Sequence, residues 1–191
     1  TSFAAALGDG YVKVTDISTL AAGDKVVLYC DDAEKGVTGW DGTKTATAAA
    51  DGWVEYVVEA ADGGVLLKDG EQYIALTAKN GFYYTATGSV CKVNAEGVLY
   101  ITLSGADYLL YENANNGSPL YRMYVDKTGN AQYKPVYVYE VVAAEEGGEG
   151  EVATVPTNAE LWEAFKPYYN TYYGLTRADQ PIDKASTFAN A

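Results

Sequence analysis

No histidine occurs anywhere in the chain, so the side chain that most often moves protons near neutral pH is missing. Ser-His-Asp, Cys-His and His-metal constellations are excluded with it. Proton transfer is left to carboxylates, and the nearest pairs in sequence are Asp31 with Asp32 and Glu145 with Glu146. A glycosidase-type pair needs two carboxyls about 5–9.5 Å apart in a cleft, one of them raised in pKa by burial. Asp31 and Asp32 end a predicted strand at a loop, and Glu145 and Glu146 fall in a glycine-rich acidic stretch. Both pairs therefore read as solvated surface charge, and no residue is assigned a catalytic role.

The remaining reactive types point the same way. Cys30 and Cys91 are the only cysteines, each in an apolar strand-like run (VVLYC and SVCKV), which favours two separate buried thiols over one disulfide. Two thiols without histidine make a poor zinc site. Asp-Gly recurs at 9, 41, 51, 62 and 69, but no EF-hand spacing is present and turn chemistry accounts for each dipeptide. Glycines fall one per turn, with neither G-x-G-x-x-G nor a P-loop. No metal or cofactor is expected.

Aromatic side chains are the residues that could hold a ligand, because a flat ring stacks on a sugar face or anchors a protein interface. Trp40, read as part of a loop in GVTGWDG, is the leading candidate, with Asp41 beside it and Tyr83 and Tyr84 of FYY as further ligand or glycan candidates. Trp53 and the other tyrosines alternate in strand-like runs, where sheet packing is the default.

The elements that must carry these residues are short β-branched and aromatic runs at 11–15, 25–31, 53–59, 65–68, 72–78, 82–86, 90–94, 98–103, 108–112, 120–125 and 132–142. About eleven short strands, punctuated by Asp-Gly and by Asn-Gly at 80 and 116, predict an all-β domain: an antiparallel barrel, a trefoil-like fold or a sandwich. Residues 16–20 read instead as one helical turn capped by Asp16. QYIAL with KNGFYY (72–84) is echoed by DYLLY with NNGSPLY (107–121), either a lobe repeat or two hairpins of similar composition.

The pattern changes at EEGGEGE (145–151), which has no apolar residue and reads as a flexible linker. The expected organisation is a β module over 1–143, an acidic linker over 144–151 and an aromatic helical tail over 152–191. Thr157 and Glu160 have capping-box spacing ahead of LWEAF, Pro167 divides the tail, and Gly174 ends its periodic part. Leu161, Trp162, Phe165, Tyr168, Tyr169 and Tyr172 form the aromatic surface by which the tail is expected to dock on its own β domain, another copy or a larger assembly.

Charge narrows the partners. With 26 acidic against 13 basic residues the formal net charge is −13, which repels nucleic acid and anionic membranes. No apolar run is long enough to span a bilayer, so the chain reads as soluble. Lacking an initiator Met, and with too short an apolar start for a signal peptide, it reads as processed or as a fragment.

The segments YVKVTDISTLAAGDKVVLYC (11–30), GEQYIAL (70–76), DYLLYENANNGSPLYRMY (107–124) and KPVYVYEV (134–141) together resemble a β-rich accessory module of secreted and surface proteins of Bacteroidota. The resemblance spans about residues 11–142 and implies an extracytoplasmic, non-catalytic accessory or adhesive part, closed by a Tyr-rich strand. It supplies no ligand and no site residues. By analogy, phages of these bacteria display such modules on their virions. The expected role is a structural or adhesive module on a cell, filament or virion surface, with protein partners in a larger assembly or homo-oligomer and surface glycans as further candidate partners; a carbohydrate-binding module is the alternative.

Overall fold

The computed structural model describes residues 7–114 and 117–142, together with Asn158, Ala159, Trp162, Glu163 and Phe165. By contacts the chain divides into two units, 1–144 and 145–191. The first is all-β. It holds fourteen strands among the described residues: β1 Tyr11–Lys13, β2 Lys25–Cys30, β3 Lys35–Trp40, β4 Ala46–Ala49, β5 Tyr56–Ala61, β6 Gly64–Asp69, β7 Gln72–Ala75, β8 Tyr83–Thr85, β9 Lys92–Val93, β10 Leu99–Leu103, β11 Ala106–Asn113, β12 Leu120–Val125, β13 Tyr133–Pro135 and β14 Tyr137–Val141. Each named strand pairing is antiparallel, and the sheet curls into a half-barrel along β8-β7-β6-β5-β2-β3-β4-β12-β11-β10-β9. β14 lies along the other edge of β2 and carries β1, while β13 joins β11.

Turn chemistry fixes the registers. The β5–β6 and β10–β11 hairpins close through two residues each, Asp62-Gly63 and Ser104-Gly105. In the second, both Ser104 and Gly105 have positive φ (53° and 81°), as a type I′ turn requires. The capped turn is present as a single 3-10 turn, Ile17–Thr19, with the Asp16 carboxylate accepting from the Ser18 backbone N–H at 3.0 Å. The two echoed segments form the β7–β8 and β11–β12 hairpins.

Three expectations need correction. Two further strands, β3 and β4, are present: Gly36 and Gly39 interrupt the β-branched and aromatic residues of KGVTGW, and ATAA is mostly alanine, so neither gives a continuous strand signal. Trp40 therefore ends a strand rather than sitting in a loop. The predicted strand from 53 begins only at Tyr56, which puts Trp53 in a connection, and the predicted 132–142 run breaks at Val136 into β13 and β14.

The core fills the concave side of the curl with Val26, Leu28, Cys30, Tyr56, Leu67, Ile74, Phe82, Leu99, Ile101, Leu110 and Met123, all buried. The convex side is also covered. There Val27, Tyr29 and Tyr139 pack with Tyr11 and Trp53, and Leu109, Tyr111 and Tyr124 pack with Tyr100 and Tyr133; Tyr137 belongs to both groups. Since β2 is buried on both faces, its sequence KVVLYC lacks the alternation of a half-exposed strand.

In the second unit, Trp162 is buried and Phe165 exposed, with ring centroids 6.4 Å apart on helical backbone. The remaining tail candidates, Leu161, Tyr168, Tyr169 and Tyr172, lie outside the described residues, as do the linker, Glu145 and Glu146, Thr157 and Glu160, Pro167 and Gly174.

Candidate functional site

Asp31 is not a surface charge. It is 5% exposed, and the turn that follows β2 brings its carboxylate under the convex aromatic layer, whereas Asp32 is exposed. Lys13 of β1 lies 3.0 Å from one carboxylate oxygen, and the Tyr139 hydroxyl of β14 donates to the other at 2.7 Å. The same ammonium sits 3.6 Å above the Tyr137 ring centroid, so the cation is held by charge and by a π face together. Burial, then the hydrogen bond to Asp31, pushes the Tyr139 hydroxyl well above the usual tyrosine range. The sequence could not separate Asp31 from Asp32, because a hairpin turn directs adjacent side chains to different environments.

A second buried carboxylate went unsuspected. Glu112 of β11 is 3% exposed and points into the concave core, where it accepts a hydrogen bond from the Tyr121 hydroxyl and faces the Lys134 ammonium at 3.8 Å. Cys30 completes this cluster, with its thiol 3.9 Å from the Lys134 carbonyl. Burial pushes the Cys30 thiol up to about 12, with Glu112 adding to the effect, and burial alone pushes Cys91 up to about 12. Both thiols are free. At neutral pH both are protonated and unreactive.

The ligand candidates fall into two groups. A one-residue bulge between Val37 and Gly39 in β3 shifts the alternation, so Trp40 shares the concave face with Val37 instead of the convex face with Gly36. There its indole stacks on Tyr84 of β8, with centroids 5.8 Å apart and planes inclined by 30°. The Tyr84 hydroxyl donates to Asp69 at 2.9 Å, which leaves Tyr56 as the donor in the 2.7 Å contact between the Tyr56 and Tyr84 hydroxyls. Burial drives both hydroxyls above the usual range. The Trp40 Nε1 is itself buried without a hydrogen-bond partner.

Asp41 and Tyr83 do not join that stack through any contact the structure shows. Asp41 is exposed and organises its own loop: one carboxylate oxygen accepts from the backbone N–H groups of Thr43, Lys44 and Thr45 at 2.8, 2.9 and 3.1 Å and from the Thr43 hydroxyl at 3.0 Å. Burial raises this carboxyl, but those bonds outweigh it and hold it below the usual carboxylate range. Tyr83 is half-buried against the core, its ring folded over Gly81 so closely that a Cβ there would lie 2.5 Å from it. Thus Trp40 and Tyr84 come together, and the other two serve local structure.

Trp53, read from sequence as a packing residue, is the aromatic that lines an open depression. A Cβ on Gly36 would lie 2.5 Å from Cγ and Cδ1 of the indole, so the ring rests directly on the β3 backbone. Its Nε1–H donates to the Ala49 carbonyl at 3.0 Å. The glycine in a strand was the available sequence signal, since such a glycine often marks a close approach.

Among the described residues, no three of His, Cys, Asp and Glu converge as a metal site. No family model, curated protein or solved structure matches the chain.

Proposed function

We propose that this chain is a non-catalytic structural or adhesive module displayed on an exterior surface, of a cell, a filament or a virion, with residues 152–191 as its attachment to a larger assembly. The observation that carries the reading is the double aromatic layering of one sheet. Both faces of β2 are buried, and tyrosine hydroxyls tie neighbouring strands to the two buried carboxylates, Tyr139 of β14 to Asp31 after β2 and Tyr121 of β12 to Glu112 of β11. Ionisable groups that are buried and satisfied in this way rigidify a fold, as a load-transmitting module needs. The bridges Val65 to Cys91, Gly81 to Met123 and Val98 to Tyr137 link strands distant along the sheet path, which favours a barrel-like closure over a sandwich or trefoil.

The test is sedimentation of the intact chain against a chain ending before Leu161. The intact chain is expected to form a species larger than one copy, and the shortened chain to stay monomeric with the same β-sheet circular dichroism. Equal sedimentation of the two removes the attachment role.

A second reading, a carbohydrate-binding module, is favoured by the half-exposed indoles of Trp40 and Trp53, one on each face of the β3–β4 hairpin. An indole face supplies stacking area for a pyranose ring, and neighbouring carboxylates accept hydrogen bonds from its hydroxyls. Binding to a panel of soluble polysaccharides tests it, and a panel without a single binder would end it.

A further inference from the structure

The depression beside Trp53 has a volume of about 360 Å³ and is lined by Tyr11, Val27, Asp51, Gly52, Trp53 and Glu55, with Ala50 at its edge. That volume is in the range of small-molecule sites. We propose that this groove is a saccharide-binding site, with the indole of Trp53 as the platform for a neutral pyranose ring and Asp51 and Glu55 as acceptors for its hydroxyls. This deepens the carbohydrate reading and moves it from the concave face, where Trp40 lies, to the convex face.

Pre-organisation is the first argument. The Trp53 ring is fixed at its edge by the bond to the Ala49 carbonyl, backed by Gly36, and flanked by Tyr29 and Tyr11 at centroid distances of 5.0 and 5.9 Å. A platform already held in place loses little side-chain freedom when a ligand stacks on it. Trp40 likewise has one face covered, by Tyr84, but its Nε1 is buried without a partner, whereas the Trp53 Nε1 is already satisfied.

One observation favours a neutral sugar over a cation: Glu55 already has a cation beside it, since Lys25 lies 3.8 Å away. That offsets its charge while leaving its oxygens able to accept hydrogen bonds. Glu55 is 46% exposed and Asp51 is exposed, so a hydroxyl reaches either without a buried carboxylate having to be stripped of water.

The experiment is affinity electrophoresis of the full chain through native gels containing a soluble β-glucan, a mannan, a galactan or polygalacturonate, followed by calorimetric titration with the best binder. At least one neutral polymer is expected to retard the chain. Asp51→Asn is expected to weaken that binding about threefold to tenfold, and Trp53→Ala to weaken it more than tenfold. Because Trp53→Ala also uncovers Tyr29, Trp53→Phe, checked to keep the β-sheet circular dichroism of the parent chain, serves as the second variant and is expected to bind at least threefold more weakly. Retardation by polygalacturonate alone, or neutral binding that survives Trp53→Phe and Asp51→Asn, overturns the proposal. Loss of binding on Trp40→Phe with the Trp53 variants unaffected overturns the groove but keeps the carbohydrate reading, whereas no retardation in any gel removes both.

Discussion

The concave and convex faces of the sheet are both buried, but they are built from different chemistry. On the concave face, aliphatic side chains and two thiols fill a closed interior around Phe82 and Tyr56, each 0% exposed. On the convex face, Tyr11, Tyr29, Tyr100, Tyr111, Tyr124, Tyr133, Tyr137 and Tyr139, with Trp53, form a layer one ring thick. Its rings meet mostly edge to face, and several hydroxyls reach bonding partners at the rim: Tyr111 donates to Asp126 at 3.4 Å and accepts from the Lys127 backbone at 3.0 Å. The concave face gains by excluding water completely, the convex one by covering backbone with rings whose polar ends stay satisfied. Closed packing is sensitive to lost volume, and a layer one ring thick is sensitive to lost hydroxyls.

The largest effect expected from this difference follows truncation at the centre of the concave core. Phe82→Ala leaves a cavity that the surrounding strands cannot close, at a cost of about 3–5 kcal/mol. Tyr133→Ala, on the half-exposed convex layer, opens to solvent and loses edge contacts with Tyr111 and Tyr124, at a cost of about 1–2 kcal/mol. Urea unfolding of the two variants measures the difference directly. Equal costs would mean that the convex layer is a second closed core.

Alkali probes the concave face next. Cys30 and Cys91 have folded pKa values pushed up to about 12, above the ordinary thiol value of 9.0, because burial penalises the thiolate. The folded state therefore holds these protons more tightly than the unfolded chain. Their contribution is fully present below pH 9 and is lost as pH rises toward 12, about 4 kcal/mol for each thiol. Unfolding midpoints are expected to be flat with respect to these thiols up to pH 9 and to fall steeply above it. Cys91→Ala is less stable at neutral pH but loses less between pH 9 and 12. A parallel fall in both proteins would remove Cys91 from the alkaline sensitivity and leave it to Cys30 and the tyrosines.

A finer contrast lies in the two buried carboxylates. Asp31 and Glu112 each combine a tyrosine hydroxyl with a lysine whose side chain is 33% exposed, but the ammonium stands at 3.0 Å from Asp31 and 3.8 Å from Glu112. At the shorter distance the pair is a charge-assisted hydrogen bond. Asp31→Asn is expected to cost about 1.5–3 kcal/mol and Glu112→Gln about 0.5–1.5 kcal/mol, because the amide in the second case still accepts from Tyr121 and gives up only a longer-range attraction. Raising salt is expected to narrow the gap, since both lysines reach water. Chemical denaturation at low and high salt measures both effects, and a larger cost at Glu112 would reverse the order read from the distances.

Strand periodicity made most of this sheet legible, and the exceptions share one physical cause. In the β3–β4 hairpin, Gly36 makes room for the Trp53 ring that lies on it, and the Val37–Gly39 bulge swings Trp40 to the concave side. A rule that scores each residue by its own propensity cannot see that a glycine is there for a ring many residues away. The same limit hid the candidate site. Trp40 stood beside Asp-Gly and resembled a loop aromatic, while Trp53 stood beside Val54 and Tyr56 and resembled a strand aromatic, so their settings were exchanged. Asp31 was misplaced for a related reason, since its burial depends on Tyr139, which lies 108 residues away in sequence.

The two tryptophans also supply the smallest expected effect. The Trp40 Nε1–H is buried with no acceptor, so its stacking on Tyr84 is opposed by the cost of stripping water from a donor left unsatisfied. Trp40→Phe removes the donor and part of the ring together. The lost area and the relieved penalty are of similar size, and stability is expected to change by less than about 1 kcal/mol. Trp53→Phe has no such compensation, because its Nε1–H already donates to the Ala49 carbonyl, and its cost is expected to be about 1–2 kcal/mol. Thermal unfolding of the two variants side by side separates the cases. If Trp40→Phe proves the more costly, the stack on Tyr84 outweighs the buried donor, and Trp40 is held in place by packing strong enough to tolerate an unsatisfied N–H.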